Sequence, residues 1–111
     1  MMTVTDETLA RMVEAIVREV EPEEVYLFGS RAAGLEQDTS DVDLLVVERE
    51  PFGPGRSRLN ELRRLRRALS DFKVAKDILV FSRDEVARWS RSPNHVVGRC
   101  LREGRRLYAR H

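Results

Sequence analysis

Apolar side chains recur along the chain in two rhythms. Leu9, Met12, Val13, Ile16, Val17 and Val20 fall three and four apart, which predicts an amphipathic helix that stops before Pro22. The run "EVYLF" at 24–28 is β-branched and aromatic and predicts a strand ended by Gly29. "DVDLLVVE" at 41–48 and "KDILVFS" at 76–82 predict two more, the first with a largely buried continuation. Between them Leu59, Leu62, Leu65, Leu69 and Phe72 trace a helical stripe, with Arg63, Arg64, Arg66 and Arg67 on the remaining surface. The stretch "EREPFGPGRS" at 48–57, with two prolines and two glycines, predicts a loop.

Capping residues set the later boundaries. Ser82 and Glu85 have capping-box spacing and open a short helix with Val86 and Trp89 inward. Ser92 and Pro93 suit the cap and first turn of another, carrying Val96, Val97, Cys100 and Leu101 and stopping at Gly104. "RRLYA" closes the chain as a short edge strand. The expected fold is α/β (α+β): a single domain over 1–111 with a small mixed sheet flanked by helices. The first connection is short for a parallel crossover, which is why the sheet is expected to be mixed.

Length and charge narrow the function. A chain of 111 residues supports one core, so a site must be built from that core and an acceptor from elsewhere. Twenty Lys plus Arg against 19 Asp plus Glu leave a net charge of +1, too little for a global nucleic-acid field. All the cations but Lys73 and Lys76 are arginine, a residue suited to carboxylate and phosphate contacts. One cysteine, Cys100, excludes an internal disulfide and a multi-cysteine metal site, and its apolar helical setting predicts an inert core residue. No apolar stretch approaches about 20 residues and the N-terminus lacks a leader pattern, so a cytoplasmic protein without membrane attachment is expected.

Two segments carry chemistry. After the strand ending at Phe28, Gly29 permits close backbone approach, Ser30 adds a hydroxyl, and a helix opening at "SRAAG" and closed by Gly34 would offer free N–H groups to phosphate; a plain strand-turn-helix reads equally well. No Gly-Lys-Ser/Thr occurs, which excludes a Walker A loop. Asp41 and Asp43, two apart on a strand, leave one face together. Two such acids repel unless a cation intervenes, and hard oxygen ligands suit Mg²⁺; the plain alternative is a solvated strand end in which Ser40 and Asp41 make a turn. Asp77 opens the third strand as a third acid. His95 has no ligand partner at metal spacing and reads as a surface or first-turn residue; the arginine stripe reads as a solvated helix face, and Trp89 and Phe52 as packing.

Gly29-Ser30, Gly34, Ser40-Asp41-x-Asp43-Leu44 and the later Asp77 together resemble the signature of the DNA polymerase β-like nucleotidyltransferases. More narrowly the chain resembles the minimal nucleotidyltransferase (MNT, MntA-type) antitoxins, with "GSRAAGLEQDTSDVDLLV" matching their core without a gap and "REGRRLY" similar to their usual ending. The resemblance implies transfer of a nucleoside monophosphate, AMP from ATP, to a hydroxyl with loss of pyrophosphate. It implies nucleotide contacts from Gly29, Ser30, Arg31 and Ser40, and two Mg²⁺ ions held by Asp41, Asp43 and Asp77, with Asp77 also activating the acceptor. It further implies a HEPN-domain toxin as partner, an AMPylated protein hydroxyl as acceptor, a homo- or hetero-oligomer, and no stable nucleic-acid partner. Two other functions stay open at this point: an antitoxin acting by binding alone, and an Asp-x-Asp glycosyltransferase, the latter disfavoured because no room exists for a sugar-binding domain.

Overall fold

The computed structural model describes residues 5–29 and 41–110. In chain order these form α1 (Asp6–Val20), β1 (Glu24–Phe28), β2 (Val42–Glu48), α2 (Arg58–Ala68), β3 (Lys76–Ser82), α3 (Arg83–Trp89), α4 (Val96–Glu103) and β4 (Arg105–Ala109). The four strands make one sheet in the order β3-β2-β1-β4. β1 pairs antiparallel with both β2 and β4, whereas β2 and β3 run parallel, so the sheet is mixed. The parallel pair is joined by the α2 crossover, as parallel strands require.

Each helix has a chemical start and stop. The Thr5 hydroxyl accepts the Thr8 N–H, Asp6 and Glu7 occupy the positive end of the α1 dipole, and Arg18 the negative end. Glu21 then turns left-handed (φ 47°) ahead of Pro22, returning its N–H to the Val17 carbonyl. The capping box at Ser82 and Glu85 is present in full.

The sheet divides the core. On one face α1 and α2 pack Met12, Ile16, Leu65 and Leu69 against Val25, Leu27, Leu44, Val46 and Val80. On the other, the shorter α3 and α4 cover Leu45 and Val47, with Cys100 buried between. β2 lies inside both layers, which is why its apolar run barely alternates.

One boundary and three side-chain placements differ from the sequence pattern. α4 begins at Val96 with His95 as its cap, and not at Ser92-Pro93. His95 Nδ1 accepts the Val97 N–H at 3.1 Å, while Ser92 lies in the turn leaving α3, its N–H donated to the Trp89 carbonyl. Trp89 points outward and is 37% exposed, stacked on the His95 ring at 4.4 Å between centroids. Leu59 is 53% exposed because it sits about 100° round the helix from the Leu62–Leu65–Leu69 stripe. The arginine face is partly engaged: Arg64 pairs with both Glu19 and Glu61.

At the C-terminal end of β2 two acids are buried together. Glu48 and Glu61 share the guanidinium of Arg56, and Glu48 Oε2 has no hydrogen-bond partner among the described residues. Burial first, and the neighbouring Glu61 second, push the Glu48 carboxyl up to about 8, while Glu61, against its own burial, is held below its usual value by the adjoining Glu48 and by Arg64 and Arg56. The pair therefore shares one proton, carried by Glu48. A folded-state value above the unfolded one means that the folded chain binds the extra proton, so this stabilisation is complete below the unfolded value of 4.5 and is lost as pH rises through about 8. Glu48→Gln, a neutral stand-in for the protonated acid, is expected to match the parent in Tm at pH 5 and to exceed it by several degrees at pH 9. Thermal melts of both proteins across that range check this, and parallel pH profiles would refute it.

Candidate active site

The C-terminal end of β1 and the N-terminal ends of β2 and β3 meet at one rim of the sheet. Strand register aligns the chemistry there: Phe28 is opposite Asp43, and Asp43 is opposite Asp77. Adjacent strands lie about 4.8 Å apart, so Asp43 and Asp77 rise side by side from neighbouring backbones. Strand alternation puts both on the face of Leu45, Leu79 and Phe81, which α3 and α4 partly cover. Asp43 is half-buried and Asp77 exposed. Asp41 is exposed one residue before β2 begins, so the expected pair straddles the strand start. Ser30, Arg31, Gly34 and Ser40, the other expected nucleotide-side residues, lie outside the described residues.

Gly29 meets a double constraint. Its φ of +76° is a conformation that side chains disfavour, and a Cβ built there would stand 2.3 Å from Asp43 Oδ2 and 3.2 Å from its Cγ. The Asp43 carboxylate thus occupies the space a side chain at 29 would fill. The sequence pattern assigned Gly29 to phosphate; its fit against Asp43 follows only from the β1–β2 register.

α4 closes the site from one side. Its C-terminus reaches the end of β1 through Gly104, where a Cβ would come within 2.4 Å of the Cys100 carbonyl and 2.8 Å of the Leu27 carbonyl. This seats Cys100 near Asp43. Burial pushes the Cys100 thiol up to about 11; Arg99 pulls it down and the charge of Asp43 adds to the rise, so at neutral pH it is a buried, protonated thiol. That agrees with the inert core residue expected. Its nearness to Asp43 carries no sequence signal, because it depends on how α4 crosses the sheet.

The donor set at the rim is carboxylate oxygen, which suits a hard cation, and a half-buried Asp43 beside Asp77 favours a compensating positive charge. Among the described residues no three His, Cys, Asp or Glu side chains converge into a preformed metal cage. Mg²⁺ needs none, since it is commonly held by one or two carboxylates plus substrate phosphates and water.

The Gly29–Asp43 fit yields a test independent of activity. Gly29→Ala is expected to cost about 1–3 kcal/mol from the left-handed backbone alone, and more from the collision with Asp43. In an Asp43→Ala background the collision part disappears, so Gly29→Ala costs measurably less there. Urea midpoints for the four proteins of the cycle check it, and strict additivity would remove the contact from the account.

Residues 9–101 match the family model described as "Nucleotidyltransferase domain". No curated protein matches the chain. Among solved structures, a candidate nucleotidyltransferase from Sulfolobus solfataricus is 30% identical, with a TM-score of 0.57 over 72% of this chain and 68% of that one. A toxin-antitoxin crystallised with AMP-PNP aligns with a TM-score of 0.54 at 21% identity, over 92% of this chain and 74% of that one. A mutant of the toxin-antitoxin MntA-HpeT aligns with a TM-score of 0.59 at 14% identity, over 97% and 76%. At those identities the last two speak for the fold alone. With the family model covering most of its length, and a mixed sheet bearing paired acids beside a glycine turn, the chain belongs to the nucleotidyltransferase domain family with the polymerase β-like fold.

Proposed function

We propose that residues 1–111 form one Mg²⁺-dependent nucleotidyltransferase domain that moves AMP from ATP to a protein hydroxyl, acting as the antitoxin of a HEPN-type toxin-antitoxin pair. The observation that carries the enzymatic reading is the register that sets Asp77 beside Asp43 at the rim where Gly29 ends β1. Membership of the family supports nucleotidyl transfer, and the relatives crystallised as toxin-antitoxins, one with AMP-PNP, support the partner and the nucleotide. Among the described residues no helix is long and apolar enough to cross a membrane.

In this reading Gly29 and Ser30 present the turn to the β- and γ-phosphates, with Arg31 and Ser40 as further nucleotide contacts. Asp41, Asp43 and Asp77 hold Mg²⁺, which when bound offsets the charge gathering on the reacting phosphoryl group and the leaving pyrophosphate. Asp77, the outermost of the aligned acids, takes the proton of the acceptor hydroxyl. The acceptor oxygen bonds to the α-phosphorus as the bond from that phosphorus to pyrophosphate breaks, and Asp77 later releases the proton to water.

Label transfer from α-phosphate-labelled ATP into lysate of the source cell tests this. The intact protein is expected to label one band, and the Asp41→Ala, Asp43→Ala double variant none, with the fold retained because two like charges are removed. Asp77→Asn is expected to slow labelling by roughly 10²–10⁴-fold, the usual worth of a positioned base. Label equal in the double variant would refute these acids as metal ligands. Partner neutralisation that survives the double variant would move the function to an antitoxin acting by contact.

A further inference from the structure

The chain uses arginine for eighteen of its twenty cations, and its two lysines lie at one turn, Lys73 within it and Lys76 as the first residue of β3. That turn joins α2 to β3 and delivers Asp77. Lys73 Nζ donates to the Ser70 carbonyl at 3.1 Å; Lys76 Nζ donates to the Phe72 carbonyl at 2.8 Å and to the Val74 carbonyl at 3.2 Å. The Phe72 carbonyl also accepts the Val74 N–H at 2.9 Å, so one ammonium ties both carbonyls of a tight turn whose backbone already folds back on itself. A tetrahedral ammonium with three donors can straddle two carbonyls that converge from one side, where a planar guanidinium presents a flat fork. The cation also meets carbonyls just beyond the C-terminus of α2, where positive charge is favoured.

The turn bears on the acids directly. The next carbonyl, that of Ala75, accepts the Val42 N–H at 2.9 Å, the hydrogen bond that opens the β2–β3 ladder. One residue further on, Asp77 stands opposite Asp43. Lys76 itself alternates to the opposite face from Asp77 and packs beneath the turn, so it neither faces the substrate side nor competes for it.

We propose that Lys76 is a positioning residue for Asp77: by clamping the Phe72 and Val74 carbonyls it fixes where β3 starts, and so holds Asp77 in register with Asp43. The proposal rests on the reading of Asp77 as a member of the active site. Lys73, with a single exposed hydrogen bond to one carbonyl, contributes little to that register.

The test replaces Lys76 with Met, which keeps the stem and removes the donors, with Lys76→Arg as the conservative variant and Lys73→Met as the control. Three readouts apply: exchange of the Val42 amide hydrogen, Mn²⁺ affinity in the presence of AMP-PNP, and the split between kcat and the KM for ATP. Lys76→Met is expected to speed Val42 exchange, to weaken Mn²⁺ binding about tenfold, as loss of a ligand-orienting group does, and to lower kcat with little change in KM. Lys76→Arg shifts the same quantities less, and Lys73→Met leaves them unchanged. In an Asp77→Asn background the Lys76→Met effect on Mn²⁺ is expected to vanish. Unchanged Val42 exchange and Mn²⁺ affinity in both Lys76 variants, beside a defective Asp77→Asn, would overturn the proposal and leave the nucleotidyltransferase reading standing. A Mn²⁺ effect that persists without Asp77 would overturn it as well, and an Asp77→Asn protein with normal Mn²⁺ binding and transfer would remove both it and the role given to Asp77. Should Lys76→Met fail to fold, the Arg variant decides alone: parental Val42 exchange and Mn²⁺ affinity in it overturn the proposal, and weakening of both upholds it.

Discussion

The parallel pairing of β2 with β3 is the constraint on which the site depends. β2 is the most buried strand, enclosed by helices on both faces, while β3 alternates, and a slip of one residue there would turn Ile78 and Val80 out of the α1–α2 layer. Hydrophobic burial therefore fixes which face of β3 points inward, and the ladder ties that strand to β2. The consequence for chemistry is indirect and strong: Asp43 and Asp77, which gain nothing from burial, are placed opposite one another by Leu44, Leu45, Val46, Ile78 and Val80. A site made of mutually repelling carboxylates is held by apolar residues that never touch a substrate.

Much of this was legible in the sequence, for identifiable reasons. β1 and β3 begin and end where their patterns do, because each is a short β-branched or aromatic run bounded by a turn residue or a cap. The Ser82 and Glu85 capping box is local chemistry and could be read directly. Asp41, Asp43 and Asp77 were legible as candidates from their spacing and strand context. The start of α4 was not: Ser92-Pro93 is the stronger local pattern, yet the helix begins only at Val96, where His95, stacked on Trp89 and edge-on to Phe81, offers Nδ1 as the cap. Tertiary packing chose the weaker cap. The contact of Gly29 with Asp43 and the seat of Cys100 near that acid were also invisible, since both arise between strands or layers far apart in sequence.

The two ends of the parallel pair divide the work of the domain. At the N-terminal rim the acids stay exposed or half-buried, and the nearby backbone is a glycine turn and a lysine-bound turn. At the C-terminal end Glu48 is fully enclosed and linked through Arg56 to Glu61, whose second arginine, Arg64, reaches Glu19 on α1. A polar chain thus runs from β2 through the 49–57 loop and α2 to α1. Such a network is worth little as net stability, because desolvating its charges offsets their attraction. It does restrict geometry. Glu48 can keep its partners only if α2 sits at one height along β2, and the height of α2 determines where the turn to β3 begins. The buried acid pair ties α2 to one end of β2, and the lysine-bound turn lies at the other end of the same crossover. Hydrophobic packing alone tolerates small sliding of a helix over a sheet; two polar attachments along the same crossover do not.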